Sequence, residues 1–265
     1  LVIVMGKIIA LVNQKGGVGK TTSSINLAAS LGVYKKKTLL VDLDPQGNST
    51  TGVGISKTDY EKSVYELLKD DAELEEVIIK TKFNNLYVIP ATINLAGLDF
   101  ELMEKSKLDP TFVRGNQLKK HLTKAKEVFD YIIIDCPPSL GILTTNALTA
   151  ADSVIIPVQC EFFALEGIMQ LLNTIMLAQK SLNPELDIEG VLLTMLDSRT
   201  NLGFEVVEDI RKFFKERVYN TIIPRLIRLT EAPSHGEPII AYDPKSRGSE
   251  AYINLAKEVI ERNGK

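Results

Sequence analysis

The stretch Gln14-Lys15-Gly16-Gly17-Val18-Gly19-Lys20-Thr21-Thr22 sets two lysines five residues apart around one loop of phosphate size. Glycines at 16, 17 and 19 let the backbone turn its N–H groups inward as an anion nest, and a helix opening at Lys20 adds its partial positive charge. In the pattern G-x-x-x-x-G-K-[ST], Lys20 reaches the β- and γ-phosphates of a nucleotide and Thr21 offers its hydroxyl to Mg2+. Gln14 stands where that pattern has its first glycine. A competing reading is a dinucleotide turn G-x-G-x-x-G that starts at Gly17 and Gly19 and uses Asp42 as the ribose acid. Its third glycine is replaced by Thr22, and it leaves Lys20 and Thr21 without a role. Lys15 poses a separate question, because a second ammonium cannot easily crowd onto phosphates already held by Lys20. It serves either a nucleotide on a facing subunit or, as most charged loop residues do, only the solvent.

Two acidic strand ends supply what phosphoryl transfer to water needs besides a phosphate cradle, namely a group that orients the water and support for a metal. Thr38-Leu39-Leu40-Val41 reads as a buried strand that ends in Asp42-Leu43-Asp44-Pro45-Gln46-Gly47-Asn48. Asp44, on the turn, is expected to position the water, and Asp42 to support the metal and phosphate shell; the plainer alternative is an acidic turn shaped by Pro45 and Gly47. Tyr131-Ile132-Ile133-Ile134 closes on Asp135, which would hold Mg2+ through a water because that ion keeps much of its hydration. Cys136-Pro137-Pro138-Ser139 then forms a stiff turn lacking two backbone donors.

These residues need a scaffold that brings strand ends together. The 265 residues, 45% of them hydrophobic, suit one α/β domain with a doubly wound, mostly parallel sheet covering residues 5–265. Leu1–Val4 precede Met5 and read as a non-native or alternative start. Strands are predicted near 7–13, 38–42, 86–89, 131–135, 153–158, 188–194 and 218–223, with a last helix over 249–262. Residues 52–85 break the alternation with short helical patterns at 64–68 and 74–79, and this insert is the expected partner-facing or dimer-facing surface. A net charge of −3 creates no global attraction to nucleic acid, so any DNA contact must come from a local patch. Two cysteines, no signal peptide and no apolar run of membrane-spanning length point to the cytoplasm.

The two-lysine loop resembles the deviant Walker A motif, K-G-G-x-G-K-[ST], of the ParA/MinD family of P-loop ATPases. The segments V-D-L-D-P-Q-G-N and I-I-I-D-C-P-P-S-L-G, with Q-C-E-F-F-A-L-E-G at Gln159–Gly167 and E-A-P-S-H-G-E-P-I at Glu231–Ile239, resemble the short chromosomal ParA form, often called Soj. The resemblance implies a Mg2+-dependent ATPase for chromosome or plasmid partition that forms an ATP-sandwich homodimer, with Lys15 crossing to the partner's site. It further implies non-specific binding of double-stranded DNA on the nucleoid and release by hydrolysis that a ParB-type protein stimulates.

In related GTPases an [NT]-K-x-D segment reads guanine; here the place holds Thr194-Met195-Leu196-Asp197 without the lysine, which favours ATP. The resemblance puts the adenine pocket near Pro224 and Arg225, though the following residue is Leu226 where the family often has asparagine. Cys136 and Cys160 keep a second class open, a metabolic or electron-transfer ATPase like the nitrogenase iron protein, whose dimer holds a cluster on four thiolates. The end of the chain carries no basic amphipathic tail of the MinD kind, since Ala251, Leu255 and Val259 are spaced for core packing. A basic group in the last third comprises Arg199, Arg211, Lys212, Lys215, Arg217, Arg225, Arg228, Lys245 and Arg247. Resemblance to Soj-type chains makes Arg199 and Arg228 the preferred DNA phosphate contacts, with Lys212 and Arg247 beside them. Lys212 and Lys215 also suit a solvated helix terminus. The short stretch before the loop leaves no room for a helix-turn-helix domain, so sequence-independent contact is expected.

Overall fold

The computed structural model describes residues 5–161 and 164–264, so the reading of Leu1–Val4 and the two phenylalanines at 162 and 163 lie outside the described residues. Short apolar runs form the strands β1 (Lys7–Leu11), β2 (Thr38–Asp42), β3 (Ile79–Lys80), β4 (Leu86–Ile89), β5 (Tyr131–Asp135), β6 (Ser153–Gln159) and β7 (Asp187–Thr194). They make one sheet in the order β3-β4-β2-β5-β1-β6-β7, parallel except for the two-residue edge strand β3. The helices are α1 (Lys20–Val33), α2 (Asn48–Gly52), α3 (Val64–Leu68), α4 (Leu74–Val77), α5 (Leu98–Leu108), α6 (Gln117–Ala125), α7 (Ile142–Ala150), α8 (Ala164–Ser181), α9 (Asn201–Phe214), α10 (Ile227–Glu231), α11 (Ile239–Tyr242) and α12 (Arg247–Arg262).

Successive strand residues point to opposite faces, and both faces are dry. Ile8, Ala10 and Val12 join Ile132 and Ile134 in one apolar layer, under Leu67, Leu102, Leu118, Ala147, Leu171 and Ile210 of α3 and α5–α9. Ile9, Leu11, Leu40 and Ile133 join the other, under Ile25 of α1, Ile239 of α11 and Leu255 of α12. The result is the doubly wound α/β architecture expected from the alternation of strands and helices.

Three local expectations are corrected. Residues 218–223 do not form a strand: Val218 and Pro224 make single bridges to Val191 and Leu196. Between them Glu258 of α12 accepts the Asn220 and Thr221 amides at 2.8 and 3.1 Å, and Pro224 has no N–H, so the ladder cannot continue. The helical pattern over 74–79 ends at Val77, and Ile79 pairs antiparallel with Val88 instead. The last helix starts at Arg247, where Ser246 caps it by accepting the Ser249 amide at 3.2 Å.

The connection from β1 runs across β5 to β2, whereas the connection from β5 runs across β1 to β6. The order therefore reverses at β1, and ligands of open parallel sheets lie beyond the strand ends at such a reversal.

Candidate functional site

The loop after β1 is anchored on both neighbours to its right. Asn13 Nδ2 donates to the Pro157 carbonyl of β6 at 2.7 Å, and Thr194 Oγ1 at the end of β7 donates to the Val18 carbonyl at 2.9 Å. Gly17 and Gly19 hold φ angles of 73° and 84°, a left-handed backbone in which a side chain would be strained. A Cβ built on Gly16 or Gly17 would meet nothing within 4 Å, so the loop's backbone borders open space. α1 begins at Lys20 with no side-chain cap, leaving its first amides and dipole facing that space.

The two lysines part company here. Lys20 is buried and its Nζ donates to the Lys15 carbonyl at 3.2 Å, folding the amine back across the loop. Burial lowers its pKa, while Asp135, Cys136 and Asp44 pull it back up. The Lys15 side chain is 45% exposed, and among the described residues its Nζ pairs with the equally exposed Glu161 at 3.8 Å. A pair that long and wet contributes little, so Lys15 is tethered but available.

Asp42 and Asp135 end adjacent strands in direct register. Both are fully buried, and burial pushes both carboxyls up, Asp42 to about 7 with Asp135 as its second cause. Asp135 accepts Ser49 Oγ at 2.7 Å and Ser24 Oγ at 3.0 Å, and these bonds together with Thr21 hold it toward the charged form. Neither Asp42, expected in the metal and phosphate shell, nor Asp135 lines the cleft directly; Asp135 reaches it through Thr21, which does. Asp42 Oδ2 accepts both the amide and the hydroxyl of Thr50, at 2.8 and 2.7 Å, and its Oδ1 accepts the Asp44 amide at 3.1 Å. Asp44 itself lines the cleft, with one carboxylate oxygen accepting the Gln46 amide at 3.0 Å.

That cleft is bordered by Gly16, Gly17, Gly19, Lys20, Thr21, Thr22, Asp44, Asn48 and Pro138. Through Gly19, Thr22, Met195, Leu229 and Thr230 it runs into a narrower slot walled by Ile223, Pro224, Arg225, Leu226 and Tyr252. A polar cleft joined to a largely apolar slot has the polarity profile of a nucleotide, phosphates at one end and base at the other. Leu226 adds an apolar wall where an asparagine would have offered an amide.

Asp197 does not face the slot as a base reader. Arg199 grips it with Nε at 2.8 Å and a second nitrogen at 2.6 Å, which holds its carboxyl well below the usual range. Arg228 has Glu231 at 3.4 Å and Asp243 at 3.9 Å, and its guanidinium lies over the Tyr242 ring. Lys212 meets Asp209 at 3.4 Å. The basic group also divides: Arg199 precedes α9 on the cleft side, and Lys212 lies in its last turn, roughly 20 Å along at about 1.5 Å per residue. Arg225 walls the slot, Arg247 borders a neighbouring groove with Asn220 and Pro224, and Arg211 and Lys215 border another with Arg262.

Cys136 and Cys160 are free and buried, and burial pushes both thiols up, Cys160 to about 11. Among the described residues no group of three or more His, Cys, Asp or Glu is placed to hold a metal ion, and no helix is long and apolar enough to cross a membrane. The residues that sequence reasoning missed are Ser24, Ser49, Thr50 and Tyr252. The adjacent hydroxyls after Gly47 are the one signal that pointed at the middle pair.

Comparison with known proteins places this geometry. The protein-family description "AAA domain" matches residues 6–188. The chain is 62% identical over 255 residues to the sporulation initiation inhibitor protein Soj of Bacillus subtilis, covering 96% of this chain and 98% of the relative. It is 50% identical over 259 residues to the chromosome partitioning protein ParA of Myxococcus xanthus, covering 98% and 89%. Among solved structures, cobyrinic acid a,c-diamide synthase from Mycobacterium smegmatis with bound ADP and magnesium superposes with a TM-score of 0.83 at 37% identity, covering 98% and 97%. The loop with two lysines, the acid-tipped strands and the relatives at this identity agree: the chain belongs to the ParA/MinD family of P-loop ATPases, in the group that includes the Soj and chromosome-partitioning ParA proteins.

Proposed function

We propose that residues 5–265 act as one ATPase domain that partitions DNA, binding ATP and Mg2+, closing as a homodimer over two nucleotides, and holding non-specific double-stranded DNA until hydrolysis releases it. The carrying observation is the division of labour between the lysines, with Lys20 buried in its own loop and Lys15 turned outward. Lys20 and the loop amides receive the β- and γ-phosphates, Asp44 orients water, and Lys15 reaches the facing protomer's phosphates. Thr21, Asp135 and Asp44 present oxygen donors only, which fits Mg2+ better than a softer metal. Bound Mg2+ would gather phosphate charge, with Thr21 as a direct ligand and Asp135 acting through water. The slot at Pro224 and Arg225 takes the base. A ParB-type protein is the stimulating partner, and the setting is the cytoplasm, on the nucleoid.

The same fold serves a protein named as a diamide synthase, so the assignment rests on the partition-named sequence relatives and on the arginines that share the cleft end. A DNA mobility assay tests it: duplexes of unrelated sequence should be retarded with ATP and not without nucleotide. Retardation that ignores ATP, or requires one sequence, would refute the proposal. Calorimetry should find ATP bound at least tenfold more tightly than GTP, a gap of about 1.4 kcal/mol, because no lysine stem and no free carboxylate await guanine.

Charge reversal at Arg199 and Arg228 together should weaken ATP-dependent DNA binding about tenfold or more at moderate salt while ATP turnover without DNA stays within twofold. Each arginine lost per protomer is lost twice in a dimer, and each phosphate contact contributes counterion release. The acid partners Asp197 and Glu231 set the size of the effect, since DNA must compete with them. Retained DNA binding in the double variant would move the interface elsewhere.

A further inference from the structure

We infer that Ser49 and Thr50, consecutive hydroxyls of α2, are positioning residues that give the two strand-end acids separate duties: Ser49 aims Asp135 at the metal side, and Thr50 locks Asp42 so that it sets the Asp44 turn. The inference rests on the ATPase reading above and deepens it.

β2 and β5 deliver Asp42 and Asp135 side by side into a dry interior, where two like carboxylates left to themselves would compete for the same donors. α2 prevents that. Gly47 turns the chain with φ of 67°, and the next helix places Ser49 and Thr50, both without solvent exposure, over different acids. Ser49 Oγ donates to Asp135 Oδ2 at 2.7 Å while Ser24 Oγ of α1 takes Oδ1, so the carboxylate plane is held from two helices. Thr50 gives amide and hydroxyl to the same Asp42 oxygen and accepts the Ala91 amide at 3.1 Å, which ties α2 to the exit of β4. The remaining Asp42 oxygen is then left for the Asp44 amide. Two chains of contacts result, one from Ser49 through Asp135 to Thr21 on the cleft and one from Ala91 through Thr50 and Asp42 to Asp44. Among the described residues no hydrogen bond joins the two chains, although the two carboxylates still feel each other's charge.

Separate chains predict separate kinetic signatures. Groups behind a metal ligand commonly change metal affinity or activity tenfold or more when removed. In the full chain, Ser49→Ala should raise the Mg2+ concentration for half-maximal ATP hydrolysis about tenfold, with kcat largely recovered at saturating Mg2+. Thr50→Val should lower kcat about tenfold at every Mg2+ concentration and leave the half-saturating Mg2+ unchanged. Thr50→Ser, which keeps the hydroxyl, should restore kcat to within about twofold. Calorimetric titration of nucleotide at several Mg2+ concentrations gives the same separation without turnover. A merely structural role would lower thermal stability in all variants without splitting kcat from Mg2+ dependence, and that outcome overturns the inference, as does a Thr50→Ser variant as impaired as Thr50→Val. If Thr50→Val does not fold, the Mg2+ dependence of Ser49→Ala decides alone. Wild-type protein without ATP turnover would sink the ATPase reading itself, whereas wild-type turnover with unsplit variants sinks only this inference.

Discussion

Asp44→Ala is expected to lower ATP hydrolysis by about two orders of magnitude or more while ATP affinity stays within a few-fold of wild type. The cleft is shaped by glycine backbone, Lys20 and Thr21, and Asp44 is the smallest of the charges that support buried Lys20, so binding survives. What is lost is orientation. One Asp44 oxygen takes the Gln46 amide, and the turn is fixed by the Asp42 bond to the Asp44 amide, which would leave the other oxygen for the water in the proposed reaction. Phosphoryl transfer asks little else of the protein than positioning and charge, which makes the loss of one positioned acceptor costly. Trapped in the ATP state, the variant should stay dimeric and stay on DNA. Single-turnover assays with radiolabelled ATP, together with light scattering, measure both halves; unchanged turnover would remove Asp44 from its role.

Lys15→Ala should abolish ATP-dependent dimerisation at micromolar protein while monomeric ATP binding remains within about threefold. A charge-assisted bond to phosphate contributes roughly 1.5–3 kcal/mol, and twofold symmetry places two such bonds across one interface. Losing both corresponds to a weakening of about a hundredfold to ten-thousandfold in the dimer constant. Little opposes this within the protomer, because among the described residues the ion pair of Lys15 is the exposed 3.8 Å contact with Glu161. Lys15→Gln, which keeps most of the length, should fail equally, since charge and not reach is removed. Light scattering on Asp44→Ala protein with and without the Lys15 change isolates dimerisation from turnover. A dimer of undiminished strength in the double variant would refute transfer of this lysine to the partner.

Much of the site could be read from the chain because each element announces itself locally. Apolar strands that stop at Asp42 and Asp135, and glycines that precede Lys20, are short-range patterns whose geometry follows from backbone sterics. The parallel order follows from the alternation of strands and helices. What could not be read depends on contacts distant in sequence. Residues 218–223 carry strand-like side chains, yet Glu258 captures two of their amides from a helix some forty residues away. Asp42 looks like a shell residue until Thr50 is seen to fill one of its oxygens. The basic group in the last third looks continuous along the chain, but α9 carries Lys212 about three turns away from Arg199, and Arg199 spends its fork on Asp197 in the tight turn that follows β7.

The cleft has two walls with different foundations. The phosphate loop is pinned through Pro157 and Thr194 to β6 and β7, whereas the acidic turn is pinned through Asp135, Asp42 and Ala91 to β5, β2 and β4. The seam between these halves runs along the β1–β5 ladder. A triphosphate held between the loop and the acidic turn would act as a staple across that seam. Its grip should therefore be legible far from the ligand, as slowed hydrogen exchange of the β1 and β5 amides down to Lys7 and Tyr131, with β3 at the sheet's edge left unchanged.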